Sequence, residues 1–315
     1  MAKQSTSPQS PDFQKRFLLP QFWGIWLGAG LLRLLSLIPY PFKLHTGKAL
    51  GKLLFLIAAK RKRLAKANID LCFPEKNEDE RRDLVKKHFE SLGIGLMEMS
   101  LAWYGAHKKD HAHAAERNLV RYMGEEHLRE AQARGKGVLI LSPHFTTLEL
   151  TGLFVSFLTH FNAVYRPHDN PLMDYLIAKG RTILYSNQPA GVPIANSNTR
   201  GMLKTLKAGG SLGFLPDQRY RAKGHIEVPF FDHAAKSNPA TSKIAKLTGC
   251  AVVPTFTRRL DNGTYEVEFL PALDNFPSGD DYADTLRLHQ LYEAEIRHNP
   301  AQYLWVHNRW NLKNY

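Results

Sequence analysis

Short apolar runs punctuate the second half of the chain. Val138–Leu141, Ala163–Tyr165, Ile183–Tyr185, Leu212–Leu215, Val228–Phe231, Ala251–Phe256, Tyr265–Leu270 and Tyr303–Val306 are too short for helices, and most are bounded by polar or turn-forming residues. They read as strands. Helical stretches separate many of them, which predicts an α/β domain: a sheet with helices packed on it. Two late runs, Ala251–Arg259 and Thr264–Ala272, flank Asp261-Asn262-Gly263. Asn-Gly supplies the positive φ angles of a tight hairpin turn, so one strand pair is antiparallel and the sheet is mixed. Residues 64–132 read as helical. Asn77 can cap a helix opening on Glu78-Asp79-Glu80, and Leu84, Val85, Phe89, Leu92 and Leu96 recur at helical spacing.

The first half is different in kind. Residues 1–16 form a polar, Ser-, Pro- and Gln-rich segment ending in Lys15-Arg16, expected to be disordered. An apolar stretch from Phe22 to Ile38 follows. No small-residue cleavage site comes after it; Ile38-Pro39-Tyr40-Pro41-Phe42 is bulky and rigid, which argues against a cleaved signal peptide. It is also shorter than the ~20 residues a spanning helix needs, and Arg33 sits inside it. An in-plane or tilted helix with Arg33 reaching head groups suits it better than a span; the plainer reading is a buried core helix. A second apolar stretch, Leu50–Ala59, runs into Lys60-Arg61-Lys62-Arg63. Residues 17–63 are therefore expected to be a membrane-associated helical segment, and residues 64–315 the α/β domain.

Charge sharpens this picture. The 315 residues carry 42 Lys and Arg against 29 Asp and Glu, a formal charge of +13. Such a surplus predicts an anionic partner. Basic residues beside apolar helices suit an anionic lipid surface. No zinc-finger spacing, RNP aromatics or Gly-rich KH loop accompanies them, so nucleic acid is not the expected partner. Two distant cysteines, Cys72 and Cys250, give neither a disulfide framework nor a Cys-based metal site.

The candidate chemistry lies in Gly135-Lys-Gly-Val-Leu-Ile-Leu-Ser-Pro-His144-Phe-Thr-Thr-Leu-Glu149. A buried strand stops at Pro143 and a helix begins after Thr146 or Thr147. His144 thus falls in a strand-to-helix turn, where α/β sheets place ligands. Glu149, in the first helical turn, is positioned to reach back to a ring nitrogen, fix the tautomer and support the imidazolium. His-x4-acid is a cheap pattern: about 1.3 matches are expected by chance at this composition, and the chain has two, the other being His111/Glu116 with no strand before it. Thr146-x-x-Glu149 is also a capping box, in which the Glu serves backbone donors alone. The spacing leaves catalysis and capping equally open. No Gly-x-Ser-x-Gly elbow, Walker loop, Rossmann fingerprint or His-Glu-x-x-His is present. His111 and His113 lack an evident third ligand, so no metal and no cofactor are expected.

At this point the chain resembles a family: the late acyltransferases of lipid A biosynthesis, the lauroyl/myristoyl transferases of Gram-negative bacteria. The resemblance runs from Phe17 to Arg309. It rests on Phe17-Leu-Leu-Pro-Gln-Phe-Trp-Gly-Ile-Trp-Leu-Gly, Asn68-Ile-Asp-Leu-Cys-Phe-Pro-Glu75 with Glu80-Arg81-Arg82, the His144/Glu149 pair, Tyr165-Arg166-Pro167 with Asn170-Pro171 and Arg181, Pro216-Asp217-Gln218, Gly224 with Val228-Pro229-Phe230-Phe231, and Gln302-Tyr-Leu-Trp305-Val-His307-Asn-Arg309. Glu149 stands where many relatives carry Asp. The resemblance implies a glycerolipid-acyltransferase-like fold and a location at the inner membrane, with the catalytic domain on the cytoplasmic face. It implies an acyl carrier protein thioester as donor and a lipid A precursor as acceptor, acylated at a hydroxyl of a 3-hydroxyacyl chain. His144 is then the general base and Glu149 its support. Arg166 and Arg181 become candidates for holding phosphate or oxyanion charge, with ordinary surface salt bridging the alternative. Asp217 is a candidate for orienting one of those arginines, with a helix or turn cap equally open, and Gln218 is a weaker site candidate. Tyr303 and Trp305 fit the core better than the site. No activated Ser or Cys is apparent, so direct transfer without an acyl-enzyme is expected. The rival readings are a lysophospholipid or other glycolipid acyltransferase, and a non-catalytic membrane-binding protein.

Overall fold

The computed structural model describes residues 12–105, 119–182 and 191–313. The expected strand Ile183–Tyr185 and the residues His111, His113 and Glu116 lie outside these. So does most of the polar N-terminus.

Among the described residues, two short 3-10 helices (Lys15–Leu18 and Pro20–Phe22) lead into four α-helices: α1 (Trp23–Ser36), α2 (Tyr40–Ile57), α3 (Ala59–Cys72) and α4 (Glu78–Ser100). Asn77 and Glu80 close a reciprocal capping box that fixes the start of α4. Helix α2 lies tightly on α4. A Cβ at Gly51 would stand 2.3 Å from the Phe89 carbonyl oxygen, so only glycine permits this approach. A single π-turn, Leu101–Gly105, continues α4.

The α/β part then runs β1 (Val120–Met123), α5 (Glu125–Ala133), β2 (Val138–Leu141), α6 (Leu148–Leu158), β3 (Phe161–Tyr165), α7 (Pro171–Arg181), β4 (Ile194–Ala195), α8 (Thr199–Lys207) and β5 (Ser211–Phe214). A hairpin of β6 (Ile226–Phe230) and β7 (His233–Ser237) follows, then α9 (Ala240–Thr248), β8 (Ala251–Arg259), β9 (Tyr265–Phe269) and α10 (Asp281–His298). Among the described residues, seven strands form one sheet in the order β1-β9-β8-β2-β5-β3-β4. The neighbours from β8 to β4 are parallel, β8 and β9 are antiparallel, and β1 joins β9 in parallel. The mixed sheet flanked by helices is the expected architecture.

The continuous apolar run of β2 follows from burial on both faces. Leu139 and Leu141 pack with Ile69, Phe89, Leu206 and Tyr292 on one side, while Val138 and Ile140 pack with Leu128, Leu150 and Phe154 on the other. The β8–β9 turn forms at Asn262-Gly263 as its sequence predicts, with Gly263 at φ 83° and the Asn262 side chain accepting from the Thr264 amide.

Two expectations fail. Residues 64–132 are not helical throughout, because β1 interrupts them; Val120 and Tyr122 pair with β9, and that long-range pairing overrides local pattern. Tyr303–Val306 is not a strand. It leaves a 3-10 turn at Pro300–Gln302 and makes one antiparallel bridge, Tyr303 to Phe145, while Tyr303 and Trp305 pack into the core.

Helix α1 carries an unusual surface. Ile25, Trp26, Ala29 and Leu32 pack against the body. Trp23, Leu27, Leu31 and Leu34, at helical spacing on another face, are exposed, as are Leu37, Phe42, Leu53, Leu56 and Ile57. Among the described residues, no helix is long and apolar enough to cross a membrane.

Candidate active site

The site is built by two adjacent parallel strands that end in register. Leu141 of β2 pairs with Phe214 of β5. Each strand then runs through a residue and a proline, Ser142-Pro143 and Leu215-Pro216, into His144 and Asp217. Proline ends the ladder in both, since it has no N–H to donate. The two side chains therefore emerge side by side from the carboxyl edge of the sheet.

They meet in a tight pair. His144 Nδ1 lies 2.6 Å from Asp217 Oδ1, and the His144 backbone N–H donates to Asp217 Oδ2 at 3.0 Å. The Tyr303 hydroxyl donates to the same Oδ2 at 3.1 Å. Asp217 is fully buried, whereas the His144 side chain keeps 21% of its exposure. Nδ1 thus carries the proton, held by an acceptor-only carboxylate, and in the neutral ring the lone pair is on Nε2. Burial alone would raise the Asp217 carboxyl. The charge and hydrogen bonds of His144, with the Arg309 charge, outweigh it and hold the group below the usual carboxylate range.

The segment after α10 supports both partners. The His144 carbonyl accepts from the Leu304 amide, and the Thr146 amide donates to the Gln302 carbonyl. Asn68 in α3 secures that segment by donating to the Trp305 and His307 carbonyls.

Glu149 occupies a different pocket. Arg181, at the end of α7, donates from Nη2 to its Oε1 at 2.6 Å and from Nε at 3.2 Å. The Trp103 indole donates to Oε2 at 2.8 Å. Gly180 is what lets Trp103 come so close, since a Cβ there would sit 2.4 Å from the indole ring. The anticipated Glu149–His144 hydrogen bond is not made, and the carboxylate on the imidazole is Asp217. Nor does Asp217 orient Arg166 or Arg181 by a hydrogen bond. The capping box on Thr146 is also absent: Thr147 is the N-cap of α6 with no side-chain cap bond, and the Thr146 hydroxyl is bonded to Ser91. Arg166 follows β3 on the surface, in an exposed pair with Asp169. Gln218 is half-buried beside Asp217.

Burial would raise Glu149, yet the Arg181 charge and the donors from Arg181 and Trp103 hold it low. Burial would lower Arg181, and Glu149 raises it instead. Because Glu149 and Asp217 both titrate below their ordinary values, the stability they contribute is fully present above about pH 4.5 and is lost as pH falls through the depressed values. Arg181→Ala strands a buried carboxylate and is expected to cost about 3–5 kcal/mol in denaturant unfolding. Adding Glu149→Gln should recover part of that loss.

Sequence reasoning did not reach Trp103 as a site partner, and for Tyr303 it favoured a core position over a site one. Trp103 carries no motif. For Tyr303 the block around it was visible, but its aim at Asp217 depends on a sheet order that local pattern does not encode.

Comparison with known proteins covers nearly the whole chain. Residues 10–312 match the family described as bacterial lipid A biosynthesis acyltransferase. The chain is similar to the lipid A biosynthesis lauroyltransferase of Escherichia coli (strain K12), 35% identical over 308 residues that cover 96% of each chain. It is similar to the palmitoleoyltransferase of the same organism, 32% identical over 96% of this chain and 95% of that one. The myristoyltransferase is 26% identical over 96% and 92%. With a family match spanning nearly its full length, the chain belongs to the bacterial lipid A biosynthesis acyltransferases.

Proposed function

We propose that the protein transfers a fatty acyl chain from an acyl carrier protein thioester to a hydroxyl on a 3-hydroxyacyl chain of a lipid A precursor, with His144 as general base. The observation that carries this reading is the His144 imidazole itself, with Nδ1 held by a buried carboxylate at a sheet's carboxyl edge and Nε2 making no hydrogen bond to the described residues. Nε2 takes the proton as the acceptor hydroxyl attacks the thioester carbonyl. The tetrahedral intermediate collapses with loss of the thiolate, and the proton passes from His144 to that sulfur. Asp217 supports the imidazolium in between.

Glu149 acts one step further back in this reading. It fixes Arg181 through Nε and Nη2, leaving Nη1 to meet the negative charge of acceptor phosphate or oxyanion. In this reading Gln218, next to Asp217, and Arg166, after β3, would contact substrate beyond the reacting atoms. The exposed apolar stripe of α1 and the basic start of α3 support docking on the anionic surface of the inner membrane, from the cytoplasmic side, without a span. The surplus of +13 also suits an acidic carrier as donor.

The test offers one labelled acyl-carrier thioester to the purified protein with two acceptors: a phosphorylated diglucosamine lipid A precursor, and a lysophospholipid. Mass spectrometry should find label on the first at a secondary hydroxyl. Label on the lysophospholipid alone would overturn the acceptor, and label on neither would overturn the activity.

A further inference from the structure

A second imidazole stands beside the first, and its tautomer is fixed by the backbone. The Arg219 amide donates to His307 Nε2 at 3.2 Å. A backbone N–H can only meet a lone pair there, so the proton of a neutral His307 must lie on Nδ1. Among the described residues Nδ1 has no hydrogen-bond partner, and it is not among the polar atoms sealed from solvent without one. The ring is half-buried. Its main chain is pinned by Asn68, which donates to the His307 carbonyl at 2.8 Å.

The placement follows from the chain path. His144 and His307 are tied to one short turn, His144 through its bond to Asp217 and His307 through its bond from Arg219. Leu304, three residues before His307, donates to the His144 carbonyl. We infer that His307 is a further catalytic residue: its Nδ1–H is a fixed, uncharged donor to the oxyanion that forms when the acceptor hydroxyl attacks. Burial pushes the His307 pKa down to about 4. The His144, Arg309 and Arg221 charges push the same way and Asp217 pulls against them, so the ring stays neutral at working pH. A neutral donor suits this place, since an imidazolium there would oppose protonation of His144. The inference rests on His144 being the base.

Two substitutions separate donor from scaffold. In His307→Gln the side-chain oxygen can take the Nε2 position and still accept from Arg219, but the Nδ1 donor is lost. In His307→Asn the amide nitrogen takes the Nδ1 position, while the acceptor for Arg219 is lost. With the acyl-carrier thioester and lipid A precursor as substrates, His307→Gln should lose about 10²-fold in kcat with little change in KM, the scale of removing one oxyanion donor. His307→Asn should stay within about tenfold of the parent. The reverse order, equal losses, or no loss in either variant overturns the inference. His144→Ala run in the same assay distinguishes the two levels. If it stays active, the general-base reading fails. If it is inactive while His307→Gln is fully active, only the role of His307 falls.

Discussion

Replacing His144 with alanine is expected to lower kcat by roughly 10²–10⁴-fold, the range for loss of a positioned general base. An unassisted hydroxyl is a poor nucleophile at neutral pH, and no other side chain of the described site offers a lone pair held like Nε2. Stability should change little through packing, because the ring is partly exposed and its loss opens no sealed cavity. It should change more through Asp217, which loses its shortest hydrogen bond. The Tyr303 hydroxyl and the residue-144 amide remain to satisfy that carboxylate. The variant should therefore fold, bind donor and acceptor with near-parental KM, and turn over slowly. Steady-state kinetics beside a thermal melt would check both halves.

Asp217→Asn is expected to be at least as damaging to kcat, up to about 10⁴-fold, although it changes one atom. The amide oxygen would stay with its two donors, Tyr303 and the His144 backbone. The amide nitrogen would then face Nδ1. Two donors cannot share that gap, so the imidazole must move its proton to Nε2, and the lone pair that should take the substrate proton disappears. The same change removes an acid-sensitive group. Asp217 is held below the usual carboxylate range, so its stabilising contribution exists above about pH 4 and vanishes as pH falls through the depressed value. Asp217→Asn should flatten that part of the pH dependence of unfolding.

Local pattern exposed the strand before His144, the turn that carries it, the Asn262-Gly263 hairpin and the capped start of α4. Each of these is set by residues within a few positions of one another. The partner of His144 was misassigned for a physical reason. Glu149 is near in sequence and of the right charge, but its side chain leaves the first turn of α6 toward Trp103 and Arg181. Asp217 is 73 residues away and becomes a neighbour only because β2 and β5 are adjacent in the sheet. A hint did exist: both strands end in a residue, a proline and then a polar group. Without the strand order, nothing marked those two turns as facing each other. β1 was hidden likewise, since a four-residue strand at the sheet edge takes its identity from β9.

The most direct measurement of the pairing is nuclear magnetic resonance of the protein carrying ¹⁵N-labelled histidine. A proton on Nδ1 at 2.6 Å from a buried carboxylate oxygen should resonate far downfield, and the His144 signal should report Nδ1–H with Nε2 unprotonated. That downfield proton should vanish in Asp217→Asn and persist in Glu149→Gln. A proton that survives loss of Asp217 but disappears with Glu149 would contradict the account.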